Sequence, residues 1–201
     1  MRRLALIVFG LAIGLAVGYG AIQVVQRTRP LELHGTTLNP PIPAPDVTLT
    51  AVSGDAHLSD FQGEIMLIYF GYTYCPDICP ATLSDLAKVQ RAADDDGGDL
   101  QVVMITIDPE RDTPAALADY VAHFHPSFVG LSGTQEQIAA AAAAYGIYYA
   151  KQSASSEVSY LMDHTSSVLL VDGQGQTRAI YSFGTSPQEI LADVQALLKQ
   201  R

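Results

Sequence analysis

Three hydrophobic patterns follow one another along the chain. From Leu4 to Gln26 no residue carries a charge and nearly every position is apolar. About 20 such residues can cross a bilayer as a helix, so 4–26 is expected to be a transmembrane anchor, with residues 1–3 as its cytoplasmic end. Arg2 and Arg3 precede the run and Arg27 and Arg29 follow it, so the positive-inside bias favours that orientation only slightly. A small-x-small stretch at Ala16-Val17-Gly18 leaves a cleaved signal peptide as the alternative. On either reading the remainder lies outside the cytoplasm; the anchor reading puts the protein at the cell membrane, single-pass, with its domain on the periplasmic or extracytoplasmic side. Residues 27–44 are rich in proline and have no apolar period, the composition of an extended tether.

From 45 to 201 the pattern is that of one α/β domain. Val47–Val52 and Ala56–Leu58, around Ser53-Gly54-Asp55, predict a small β-hairpin. The continuous apolar runs 65–70 (IMLIYF) and 100–107 (LQVVMITI) predict strands buried on both faces. Between them Pro80–Ala93 carries a helical apolar stripe. Thr113-Pro114 and Ser186-Pro187 have the N-cap and first-turn chemistry of helix starts, predicting helices over 114–124 and from 187 to about Lys199. A further helix is predicted over 134–145. Ser167–Val171 and Thr177–Phe183 read as strands joined at Asp172-Gly173-Gln174-Gly175. A βαβ crossover followed by a late hairpin implies a mixed sheet flanked by helices, as in thioredoxin.

Charge narrows the function. The formal net charge is −10, and all 21 acidic residues lie beyond Pro30. Nucleic acid is thereby disfavoured as a partner, because its recognition rests on cationic contacts to phosphate.

The chemistry concentrates in 71–83, GYTYCPDICPATL, which holds both cysteines of the chain. Cys75 and Cys79 follow a predicted buried strand and open a predicted helix, so both fall about one turn apart on one face. The helix amino terminus favours anions, which should lower the pKa of at least one thiol. Cα atoms one turn apart are about 6 Å from each other, so a disulfide can form. The spacing also leaves room for an ion. Two thiolates are too few for structural zinc but suit a soft ion such as Cu(I), with a nitrogen ligand completing the site. Of five histidines, His34, His57, His123 and His125 read as surface or helix-end residues. His164 differs, because it stands at the entry to a predicted strand that faces the cysteine turn, where thioredoxins carry a cis-proline. The polar segment Lys151–Leu161 before it reads as a loop that would put His164 on a mobile arm.

The stretches YTYCPDICP, ITIDPERDTP with its following LADYVAHFHPSFVGLSG, and DHTSSVLLVD occur in this order and resemble the Sco/SenC family of copper-binding assembly proteins. The resemblance spans roughly 45–201. It implies a thioredoxin-like fold that binds copper through Cys75, Cys79 and His164. It further implies delivery of copper to, or reductive priming of, subunit II of cytochrome c oxidase. Another copper chaperone or a thiol reductant would be a second partner. The alternative is a thiol-disulfide oxidoreductase that uses Cys75 and Cys79 as a redox pair to reduce the copper-ligand cysteines of the oxidase subunit. Asp77 and Asp163 are candidates for tuning the site or meeting a partner, or simply for capping local turns. For the 108–113 loop the residues suggest a structural role, with Arg111 bridging carboxylates.

Overall fold

The structure is a computed structural model that describes residue 14 and residues 18–20, 31–152 and 160–200. The chain divides into two compact units, residues 1–32 and 33–201. In the first, residues 14 and 18–20 are helical. Most of the expected anchor, 4–26, lies outside the described residues. Among the described residues no helix is long and apolar enough to cross a membrane.

The second unit is built on a six-stranded sheet, of order β1 (Thr36–Pro43), β10 (Gln176–Tyr181), β9 (Val168–Val171), β4 (Ile65–Gly71), β5 (Leu100–Thr106) and β6 (Val129–Leu131). At its centre lie β4 (Ile65–Gly71) and β5 (Leu100–Thr106), parallel and in register from Ile65↔Leu100 to Gly71↔Thr106. Every residue of β4 is buried, as the uninterrupted apolar run requires. The crossover between them is α1 (Ile78–Asp95), whose buried positions Leu83, Leu86, Ala87 and Val89 form the expected stripe. Gly97 ends it in the left-handed region at φ 67°, where a side chain would be strained. β5 leads through α2 (Pro114–Ala122) to parallel β6 (Val129–Leu131). Then α3 (Gln135–Ala144) follows, with Thr134 and Gln137 forming a reciprocal capping box.

On the other side of β4, β9 (Val168–Val171) and β10 (Gln176–Tyr181) form the late hairpin, with β9 antiparallel to β4. α4 (Pro187–Leu198), capped by Ser186, packs against α1. The first hairpin is β2 (Thr48–Ala51) with β3 (Gly54–His57), its turn falling at Val52-Ser53, one residue before the predicted place.

Two features depart from the sequence reading. Within the proline-rich segment Thr36–Pro43 is strand β1, paired antiparallel with β10 from Thr36↔Ile180 to Pro43↔Gln176. His34, just before it, is tied to the buried carboxylate of Asp193 on α4 at 2.7 Å, so the edge strand is anchored at its start. The second departure concerns the segment before His164. Tyr149–Lys151 (β7) and Met162–His164 (β8) form their own two-stranded antiparallel sheet. The Gln152 N–H donates to the Leu161 carbonyl at 2.8 Å, closing the base of the loop. His164 therefore belongs to a paired ribbon rather than to a free arm.

Candidate metal centre

The cysteine turn occupies the junction where β4 gives way to α1. Pro76 and Pro80 lack backbone donors, and the first turn of a helix can dispense with them. Thr73 fastens the turn from below. Its N–H and its hydroxyl both donate to the carboxylate of Asp112, which also accepts from the Thr106 hydroxyl at 2.7 Å. Asp112 is fully buried. Burial pushes its carboxyl pKa up, and the bonds from Thr73 and Thr106 only partly offset this. The cysteine loop is thus pinned to the segment that follows β5.

The two thiols differ in environment. Cys75 is half-buried and Cys79 fully buried, and no disulfide joins them. Burial pushes the Cys75 thiol up, but the backbone N–H groups of Asp77, Cys79 and Ile78 at the start of α1 outweigh it, so its pKa falls below the ordinary value. One of these donors is visible as the Cys79 N–H to Cys75 Sγ contact of 3.4 Å. Burial drives Cys79 the other way, up to about 12, although it accepts a bond from the Tyr69 hydroxyl at 3.2 Å.

His164 completes the group. Its Nε2 lies 3.6 Å from Cys79 Sγ. Its Nδ1 lies 3.1 Å from the Thr165 carbonyl oxygen, which can only accept, so Nδ1 carries the proton. That leaves the Nε2 lone pair facing the sulfurs, the tautomer a metal ligand needs. Burial lowers the His164 pKa below the usual imidazole value, more than the Thr165 carbonyl and Asp163 raise it. The imidazole is neutral at neutral pH. The rings of Tyr69 and Tyr72 stand edge-on to it, with centroids 6.1 and 6.0 Å away.

The ligand atoms of Cys75, Cys79 and His164 all lie within 4.8 Å of one another. Among the described residues this is the one cluster of three such side chains able to hold a metal ion. Two soft sulfurs and one imidazole nitrogen are a donor set that fits copper. The other histidines take local partners. His57 meets the Thr48 hydroxyl, His123 the Asp119 carbonyl, and His125 the Ser127 hydroxyl and the Asp94 carboxylate.

Asp77 and Asp163 are both exposed. Asp77 occupies the N-cap position of α1 yet makes no side-chain capping bond, so the capping explanation fails for it. Asp163 accepts a bond from the Gln152 side chain at 2.6 Å, across the hairpin.

Arg111 has a wider role than the sequence suggested. Its Nε meets Asp108, one of its terminal nitrogens donates to the Tyr160 carbonyl at 3.1 Å, and its guanidinium lies over the rings of Tyr160, Tyr74 and Tyr72. The Tyr72 hydroxyl in turn accepts the Met162 N–H at 3.2 Å. Arg111 and Tyr72 therefore join the histidine ribbon to the cysteine turn. Neither Tyr72 nor Tyr69 stood out in the sequence. The one available signal was a tyrosine inside an otherwise apolar strand, whose hydroxyl must find a partner when buried.

The family model for SCO1/SenC matches residues 44–199. The chain belongs to the SCO1/SenC family. An SCO2-like protein of Rickettsia felis is 37% identical over 148 residues, which cover 73% of this chain and 72% of that one. The solution structure of apo Sco1 from Thermus thermophilus superposes with a TM-score of 0.74 at 37% identity, over 83% of this chain and 98% of that one. The crystal structure of Arabidopsis thaliana ScoI with copper bound gives 0.73 at 31% identity, over 79% and 99%. These likenesses bear out the thioredoxin-like reading of the domain, and one of these relatives holds copper.

Proposed function

We propose that this SCO1/SenC member binds one copper ion through Cys75, Cys79 and His164, and supplies or prepares the copper site of cytochrome c oxidase, acting on its subunit II. The convergence of two sulfurs and an imidazole nitrogen within 4.8 Å carries this reading. The half-buried Cys75, stabilised as thiolate by the start of α1, is the entry ligand. Cys79 loses its proton as the ion binds, because a bound thiol is a thiolate, so loading releases acid. Thr165 holds the imidazole in the tautomer that presents Nε2. Copper adds a soft Lewis acid that passes between thiolate-rich sites by ligand exchange. Asp77 and Asp163, exposed beside Cys75 and His164, would meet the partner that gives or takes the ion, including a second copper chaperone. The apolar segment 4–26 would hold the domain at the membrane where the oxidase is built, on the extracytoplasmic side.

A second reading is a thiol-disulfide oxidoreductase that keeps the oxidase subunit's cysteines reduced. The asymmetry of the pair favours it, with an accessible low-pKa Cys75 and a buried Cys79. His164→Ala separates the two, since a reductase does not need the imidazole. Copper bound per chain, reductase turnover and oxidase assembly are measured side by side. Loss of copper together with loss of assembly supports the copper reading. Assembly that persists without copper supports the reductase.

A further inference from the structure

Tyr69 is fully buried in β4, and its hydroxyl donates to Cys79 Sγ at 3.2 Å. Sulfur is a weak acceptor, so such a partner for a buried phenol calls for an explanation. The neighbouring Thr82 hydroxyl gives its proton to the Ile78 carbonyl at 2.9 Å and is the other side-chain group that meets the Tyr69 hydroxyl. Gly71 makes the approach feasible. A methyl group there would meet the Tyr69 ring at 2.7 Å, Cys79 Sγ at 3.1 Å and the Met104 methyl at 3.2 Å. This glycine has no positive φ, so what it provides is space for ring and sulfur to touch. On its other side the same sulfur faces His164 Nε2 at 3.6 Å. Cys79 is thus held between a donor and an acceptor, an arrangement that suits a thiol.

We propose that Tyr69 is a positioning residue that biases the Cys75–Cys79 pair toward the reduced dithiol. In the couple, the two thiols lose two protons and two electrons as one S–S bond forms. Cys79 Sγ must then turn toward Cys75, and a disulfide sulfur is a poorer acceptor than a thiol. The buried Tyr69 hydroxyl then loses its sulfur partner and is left with the Thr82 hydroxyl alone, which disfavours the oxidised state.

The test uses metal-free protein equilibrated with mixtures of reduced and oxidised dithiothreitol, which supply or accept the electron pair. The dithiol fraction is read by alkylation and mass spectrometry. Tyr69→Phe keeps the ring and removes the donor. It is expected to shift the equilibrium about five- to tenfold toward the disulfide, a tenfold shift being 29.6 mV for two electrons. Gly71→Ala keeps the hydroxyl but displaces the ring, and should move the couple the same way by a smaller factor. It decides the matter if Tyr69→Phe does not fold. Tyr181→Phe removes another buried tyrosine hydroxyl, one that donates to Asp193, and should stay within twofold of the parent. A Tyr69→Phe couple within twofold of the parent, or shifted toward the dithiol, overturns the proposal, as does an equal shift in Tyr181→Phe. Because no copper is present, this result and the copper reading can fail separately.

Discussion

Cys75 and Cys79 stand on the seam between β4 and α1, and β4 is hydrogen-bonded to β5 on one side and β9 on the other. His164 ends β8, a three-residue strand paired with the three-residue β7. The sulfur side of the site is thus fixed by the core of the domain. The nitrogen side is fixed by a few side-chain bonds, from Arg111 to the Tyr160 carbonyl and from the Met162 N–H to Tyr72. One half of the site cannot move without disturbing the sheet. The other is tied through contacts that lie outside the six-stranded sheet.

That contrast breaks most sharply at the sulfurs. Replacing Cys79 with Ala should weaken copper binding on the order of a thousandfold or more, since each ligand carries several kcal/mol of the binding free energy. Competition titration with a Cu(I) chelator measures this. His164→Ala should cost about a hundredfold in Cu(II) affinity and leave the melting temperature nearly unchanged. A fall of many degrees would show that the ribbon belongs to the core after all.

Arg111→Met should lower affinity about tenfold, through loss of the brace rather than of a ligand. Amide hydrogen exchange should then quicken in β7 and β8 and remain slow in β4 and β5. Equal quickening in both regions would erase the distinction drawn between them. Tyr72→Phe removes one bond to the ribbon and should cost about threefold.

The thiols also separate by pH. Cys75 lies below its ordinary value of 9.0, so its thiolate, and hence its alkylation by iodoacetamide in the metal-free protein, should rise at a pH below 9. Cys79, pushed up to about 12, should stay unreactive across that range. As a group depressed on folding, Cys75 contributes stability that is present above pH 9 and lost as pH falls through its folded value. Two thiols that titrate together would contradict the asymmetry.

The regions differ as much in how far the sequence foretells them. The runs IMLIYF and LQVVMITI, the caps at Thr113 and Ser186, and the spacing of Cys75 and Cys79 are local signals, and the structure follows them within a residue or two. Strand β1 escaped because NPPIP has a linker's composition, and its partner β10 lies some 140 positions away in the chain. β7 and β8 escaped because three-residue, partly exposed strands carry too few positions to show a period. His164 itself was legible through its neighbours in DHTSSVLLVD. Its support was not, since Tyr72, Arg111 and Thr165 act through contacts that no spacing rule records. The same holds for Asp112, whose hold on Thr73 spans 39 positions.

Whether these two regions meet at one ion is read by X-ray absorption at the copper edge of the loaded protein. It should show two sulfurs and one imidazole nitrogen per copper, with the nitrogen contribution lost in His164→Ala and the sulfurs retained. A nitrogen shell unchanged by that substitution, or a copper bound by a single sulfur, would contradict a shared ion.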